Sequence, residues 1–215
     1  MRKAALLALA AGALVAAKPP ARYQPDPSSV IAAEIAFNRL AQDKGQWTAF
    51  RATAADDAVM FVPQKVLAKD WLRKQVDPPR SVTWSPSIVY VSCEGTLAAS
   101  TGNWTRPDGS VGYFTTIWRR DRKGRWQWVL DHGDRLAKPR PAPDYLTGKV
   151  ATCKRGQRPD GPPPVPAKGE RAAPPPDDSL LWTADVAPDN SRRVTVKMWT
   201  GDAYETVIDD RVAAP

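Results

Sequence analysis

The stretch that most constrains this chain runs from Leu97 to Asp134, LAASTGNWTRPDGSVGYFTTIWRRDRKGRWQWVLDHGD. Two turn signals, Arg106-Pro107-Asp108-Gly109 and Asp121-Arg122-Lys123-Gly124, divide it into three segments. Within each, Trp, Tyr, Phe, Thr, Ile and Val alternate at period two, the pattern of half-buried strands joined by tight turns. It predicts three consecutive antiparallel strands, and so a sheet with a face to cover.

The residues before it supply the cover. Ser28 or Ser29 can cap a helix in which Val30, Ala33, Phe37, Leu40 and Ala41 recur at helical spacing up to Gly45. Glu34 falls within or beside that stripe and is expected at its edge, reaching water, because unpaired buried acids are rare. A second short helix is predicted from Gln46 to about Ala54, with Trp47 and Phe50 turned inward, then a strand over Ala58–Val62 that Pro63 ends. Lys65–Lys74 reads as a further short helix, and Ser81–Ser92 as a strand interrupted at Pro86, at an edge or a bulge. Helices first and a run of strands after them predict an α+β domain with helices packed on one face of a bent antiparallel sheet.

The two ends of the chain differ from this middle. Met1-Arg2-Lys3, the apolar run Ala4 to Ala16 and the small residues Val15-Ala16-Ala17 match a signal peptide, residues 1–17, cleaved after Ala17. The run is too short for a stable membrane span, so the mature protein is expected to be exported, periplasmic or secreted, with no anchor after cleavage. Half of the 22 prolines lie between Lys138 and Asp178, so residues 136–178 read as a semi-rigid Pro-rich linker. Beyond it, Leu180–Val186, Arg192–Trp199 and Tyr204–Ile208 alternate again, a small β-meander module over residues 179–210. Three short strands are marginal alone and are expected to dock on the first domain or on a partner. In an oxidising compartment Cys93 and Cys153, the two cysteines of the chain, are expected to pair and fasten the tail to the domain.

Composition excludes much. One His and two separated Cys make no zinc site, and no other metal or cofactor is implied. Without Arg2 and Lys3 the charge falls to 29 basic against 23 acidic side chains, spread along the chain, so no nucleic acid is expected as partner. Arg119, Arg120, Arg122, Lys123 and Arg125 cluster at one hairpin tip and read as a solvated face. The G-x-S-x-G, CxxC, HExxH and phosphate-loop patterns are absent, and Asp56 and Asp57 read as turn and cap residues.

The first helix ending at Gly45, the Ala55-Asp56-Asp57-Ala58 opening of the first strand, and the close Trp126-Gln127-Trp128-Val129-Leu130-Asp131-His132 together resemble the nuclear transport factor 2-like superfamily, which includes ketosteroid isomerase-like and polyketide cyclase-like proteins. The resemblance covers about residues 28–135. It implies a cone-shaped fold, three N-terminal helices on a curved antiparallel sheet, with a pocket between them and a homodimer formed through the sheet. It also implies where isomerase chemistry would sit: the tyrosine position falls at Asn38, the base at Val62 and the second oxyanion acid near Thr116. None of the three carries the required group, which leans against isomerase activity.

What remains is an aromatic lining. Alternation from Thr116 places Phe114 and Trp118 on its face, and on the next strand Trp126, Trp128, Leu130 and His132 share a face. These rings either form a pocket for a small apolar ligand, with Asn38, Phe114, Thr116, Trp118, Trp126, Trp128 and His132 around it, or fill the cone as core. The leading expectation is an exported ligand-binding protein without catalysis. The alternatives are a lyase, isomerase or cyclase using His132 as general base, and an interaction or assembly module. Asp131 is expected on the face opposite His132 and Asp134 on its face only if the strand continues, so His132 reads first as a structural residue hydrogen-bonded at the strand end.

Overall fold

Asp26 starts the first helix. Its carboxylate accepts from the Ser28 backbone N–H at 2.9 Å, and Pro27 fills the first position, where no N–H is needed. The computed structural model describes residues 25–154 and 178–215, and α1 spans Pro27–Lys44. The signal peptide reading lies outside the described residues, as does residues 155–177 of the Pro-rich segment. Val30, Glu34, Phe37 and Ala41 form the buried stripe of α1, so the carboxylate expected at the edge is at its centre.

Gly45, at φ 106°, ends α1 and precedes α2 (Gln46–Thr53). Glycine has no side chain with which to cap α2, and Asp77 does so from a distance. Its carboxylate accepts from the N–H of Trp47 (2.5 Å), the N–H of Thr48 (3.0 Å) and the Thr48 hydroxyl (2.5 Å). A Cβ at residue 45 would lie 2.4 Å from that carboxylate, so the helix junction requires glycine both for its φ and for its contact. Asp77→Ala is expected to lower stability by about 1–2 kcal/mol, the range for a lost N-cap, measured as a fall in the urea midpoint at unchanged slope.

The strands follow as β1 (Ala54–Phe61), β2 (Lys65–Leu67), β3 (Thr83–Val91), β4 (Leu97–Thr105), β5 (Val111–Arg120), β6 (Trp126–Leu136) and β7 (Thr147–Val150), with α3 (Ala68–Leu72) between β2 and β3. They form one sheet in the order β2-β1-β6-β5-β4-β3-β7. It is mixed where antiparallel pairing was expected, for β1 runs parallel to β6 and β7 parallel to β3. The helix expected over 65–74 is shortened because Lys65, Val66 and Leu67 pair with Phe61, Met60 and Val59 instead. Asp56 and Asp57 lie in β1, facing water and paired with Lys69 and Arg119, so they cap no turn. Pro86 does mark a bulge, between Pro86 and Ile88 opposite Gly102, where a Cβ would come within 2.0 Å of the Ser85 carbonyl oxygen. The stretch read as linker is not all linker, since Thr147–Val150 is the edge strand β7.

The helices pack on one face of this sheet, here the inner face. Phe37 meets Phe50 at 4.7 Å and Trp84 at 4.8 Å between ring centroids, and Phe50 meets Trp128 at 5.9 Å, all edge to face. Most of the space between helices and sheet is thus occupied by the chain's own rings. The other face carries a second, three-stranded antiparallel sheet of β8 (Leu180–Val186), β9 (Arg192–Trp199) and β10 (Tyr204–Val212), with β9 central. Leu180, Val194, Val196, Met198 and Ile208 are buried and join the main core. The Cys93–Cys153 disulfide, with Cα atoms 5.0 Å apart, holds the chain leaving β7 against the end of β3. Beside it the Ser179 hydroxyl accepts from the Cys93 N–H at 2.7 Å.

Candidate functional site

One extra residue in β6 decides which side chains can form a site. Paired with β5, the register runs His132 to Thr115, Asp131 to Thr116 and Leu130 to Ile117, and then Trp128 to Trp118, so Val129 is an unpaired bulge. Before it, Trp126 and Trp128 point inward, their indoles donating to the Ser29 hydroxyl (3.1 Å) and the Phe50 carbonyl (3.2 Å) of the helices. Past the bulge the faces exchange. Asp131 points inward with Thr116, while Leu130 and His132 point outward. The expected common face of Trp126, Trp128, Leu130 and His132 is therefore corrected, because strict alternation does not survive a bulge.

On the inner face the sequence brings together Glu34 from α1, Trp84 from β3, Ser100 from β4, Thr116 and Trp118 from β5, and Asp131 from β6. The Glu34 carboxylate accepts from the Trp84 indole (2.7 Å), the Trp118 indole (3.0 Å) and the Ser100 hydroxyl. Burial pushes its pKa up, against the lowering effect of those three donors. Thr116 donates to Asp131 at 2.7 Å. Burial, opposed by that hydrogen bond and reinforced by the nearby Glu34 charge, raises the Asp131 carboxyl to about 7. Asp131 is half-buried, whereas Glu34 is fully buried.

The other predicted lining residues divide. Trp118 and Thr116 belong to this group. Phe114 is buried against Gly102, and Trp126 and Trp128 are ties between sheet and helices. Asn38 lies at the flank of α1, accepting from Gln42 (3.2 Å) and the Trp84 N–H (3.4 Å), which secures β3 to the helix. Val62 follows β1 and brings no polar group. Glu34 and Asp131 are the residues that the predicted lining omitted. The signal for Glu34 was present in its spacing with Val30, Phe37 and Ala41, but the signal for Asp131 depended on the bulge.

His132 stands on the outer face, buried under the three-stranded sheet. Its Nε2 lies 3.1 Å from Asp210 of β10, and the same carboxylate accepts from Thr115 (2.7 Å) and Arg140 (2.7 Å). Burial lowers the pKa of His132, opposed by Asp210 and helped by the Arg192 and Arg140 charges. For Asp210 burial acts to raise the pKa, and the hydrogen bonds from His132, Thr115 and Arg140 prevail and hold it low. The neutral imidazole and charged carboxylate follow, with the shared proton on Nε2. Cavities of 390 Å³ and 440 Å³ lie elsewhere, one among Arg51, Asp56, Lys69, Asp70 and Arg73 and the other between the end of α1 and residues 78–83 and 105–107. Neither touches the Glu34 group.

No protein-family model matches the sequence, and no curated protein matches it. Solved structures of ketosteroid isomerase-like and nuclear transport factor 2-like proteins are similar to it. A candidate ketosteroid isomerase from Parabacteroides distasonis is 15% identical, with TM-score 0.43, over 53% of this chain and 96% of that one. A ketosteroid isomerase-like protein from Erwinia carotovora atroseptica is 18% identical, with TM-score 0.39, over 51% and 95%. A nuclear transport factor 2-like protein of unknown function from Pseudomonas aeruginosa is 19% identical, with TM-score 0.37, over 51% and 97%. At such identities no residue's role passes from those proteins to this chain.

Proposed function

We propose that this is an exported protein that binds a small, largely apolar molecule with one hydrogen-bonding group, seated on the inner face against Asp131. The observation that carries the reading is Asp131 itself, a half-buried inner-face carboxyl that accepts from Thr116 and lies near enough to Glu34 to feel its charge. Pockets of this kind bind by apolar walls and orient by a few polar groups. The rings of Phe37, Phe50, Trp84 and Trp128 are occupied with one another, so the guest is small and enters beside them rather than between them. A homodimer through the outer sheet face would first have to displace β8–β10.

The test is a titration of tryptophan fluorescence with a panel of flat hydrophobic alcohols, ketones and phenols, at pH 6 and pH 8. Binding is expected to change across this range as Asp131 ionises, and Asp131→Asn is expected to remove the pH dependence. Loss of a hydrogen bond to a charged partner, about 1.5–3 kcal/mol, would weaken binding roughly 10- to 150-fold. A silent panel, together with an Asp131 carboxyl that titrates in the ordinary range by NMR, refutes the reading.

A second reading is favoured by the raised pKa of Asp131. A carboxyl near 7 is suited to take and return a proton at neutral pH, so the same group can serve a lyase, isomerase or cyclase step with Asp131 as base. His132, on the other side of the sheet, takes no part in it. Turnover that Asp131→Asn abolishes while binding persists would favour this reading over simple binding.

A further inference from the structure

The three-stranded sheet is fastened to the outer face of the main sheet in part by a buried polar cluster that joins β10 to β5 and β6. We propose that this cluster is an acid-sensitive clasp: His132, joined to Asp210, holds the β8–β10 sheet closed at neutral pH and lets it open as the medium acidifies.

The geometry carries the argument. His132 of β6 spends its Nε2 proton on Asp210 of β10, which also accepts from Thr115 of β5 and from Arg140 of the β6–β7 connection. Arg140 is itself fixed there, its backbone exchanging hydrogen bonds with Asn103 at 2.9 and 3.0 Å. Any further proton must therefore go to Nδ1. That atom is buried and has no hydrogen-bond partner among the described residues. Protonation in place would create a buried N–H with no acceptor, and a cation facing two others.

The groups around the imidazole come from every element packed on it. Arg140 lies over the Tyr113 ring at 3.2 Å, and Tyr113 of β5 meets His132 edge to face at 5.9 Å. Arg192 of β9 lies over Phe61 at 4.9 Å and donates to the Gly133 carbonyl at 2.9 Å, while Phe61 of β1 meets His132 at 6.3 Å. Burial, the nearby Asp210 charge and Asp134 raise the Tyr113 hydroxyl to about 12, against Arg140 and Arg192, so it stays neutral. Against the two guanidinium groups stand Asp210 in contact and Asp134 of β6 farther off. Opening the sheet takes Asp210 and Arg192 away together and admits water, which frees the imidazole to charge.

The sign follows from linkage. The closed form holds His132 below its ordinary pKa of 6.5, so the open form binds more protons in acid. Closure is therefore complete above about pH 6.5 and is lost as pH falls below that value. Asp210, also lowered, acts in the same direction only below its ordinary 3.8. Asp131 acts in the opposite sense. Its carboxyl is raised to about 7 when folded, so the helix-covered side gains stability in acid and loses it as pH rises through 7. Acid should loosen one face of the main sheet while it tightens the other.

Hydrogen exchange of the full chain, corrected for intrinsic rates, tests this at pH 7.5, 6.0 and 5.0. Protection of the β9 and β10 amides should fall, by up to tenfold per pH unit below 6.5, with no fall in β4 and β5. His132→Gln, whose amide can still donate to Asp210 but does not titrate, should make β9 and β10 protection independent of pH. If that variant does not fold, the imidazole itself reports, because His132 is the single histidine of the chain. Its NMR signal should titrate below 6.5 and in step with the loss of protection. An imidazole that titrates at 6.5 with the sheet still protected, or β10 protection equal at pH 7.5 and 5.0, overturns the proposal.

Discussion

Glu34→Ala is expected to lose roughly 3–5 kcal/mol of folding stability, since each buried donor left unpaired costs about 1–3 kcal/mol and relaxation recovers part of the total. The three donors are Trp84, Trp118 and Ser100, each set in a separate strand and aimed at one carboxylate. Against a total of about 5–15 kcal/mol for a domain, that is enough to leave the variant partly unfolded at room temperature. Glu34→Gln should cost less, because it keeps the shape and one acceptor oxygen but turns an NH₂ toward donors. Urea denaturation followed by tryptophan fluorescence measures both. A loss below 1 kcal/mol for Glu34→Ala would mean that water replaces the carboxylate without penalty.

Removing the disulfide is the second large effect. Cys93 and Cys153 are separated by 60 residues, and the chain-entropy relation gives about 4 kcal/mol for a loop of that length. The Cys93→Ser/Cys153→Ser double variant should therefore fall in stability by about that amount. Part of the effect should appear in β7 and β8, since the bond holds the chain leaving the first and lies beside Ser179, which precedes the second. Equal urea midpoints for the double variant and the oxidised protein would show that the unfolded chain loses nothing by being released. Reduction of the unaltered protein gives the same comparison without substitution.

Local patterns in the sequence were sufficient for much of this architecture. The meander from Leu97, the two helices that meet at Gly45, the bulge at Pro86 and the three strands after residue 179 are each written in periodicity or in a proline, and the cysteine pair in simple count. Other features depend on residues far apart. The partners of Glu34 lie 50, 66 and 84 positions away, so its burial has no local trace beyond its place in the helical stripe. The four residues of β7 include Gly148 and Lys149 and show no alternation, and they become a strand because the disulfide and β3 hold them there. The parallel pairing of β1 with β6 is likewise a tertiary outcome. In the candidate site, Thr116 and Trp118 were legible from β5, whereas Asp131 and the true place of His132 were not, because a valine gives no sign that it will bulge.

That bulge gives β6 two reading frames, joined at Val129. One residue more or fewer in the strand would carry the imidazole inward and the Asp131 carboxyl out, exchanging the acid-base group of the inner face for that of the clasp in one step. Point substitution can alter either face of β6 separately, but a single deletion at this position alters both at once. Any alignment of this strand with another must therefore place the gap before it compares residues 130 to 134.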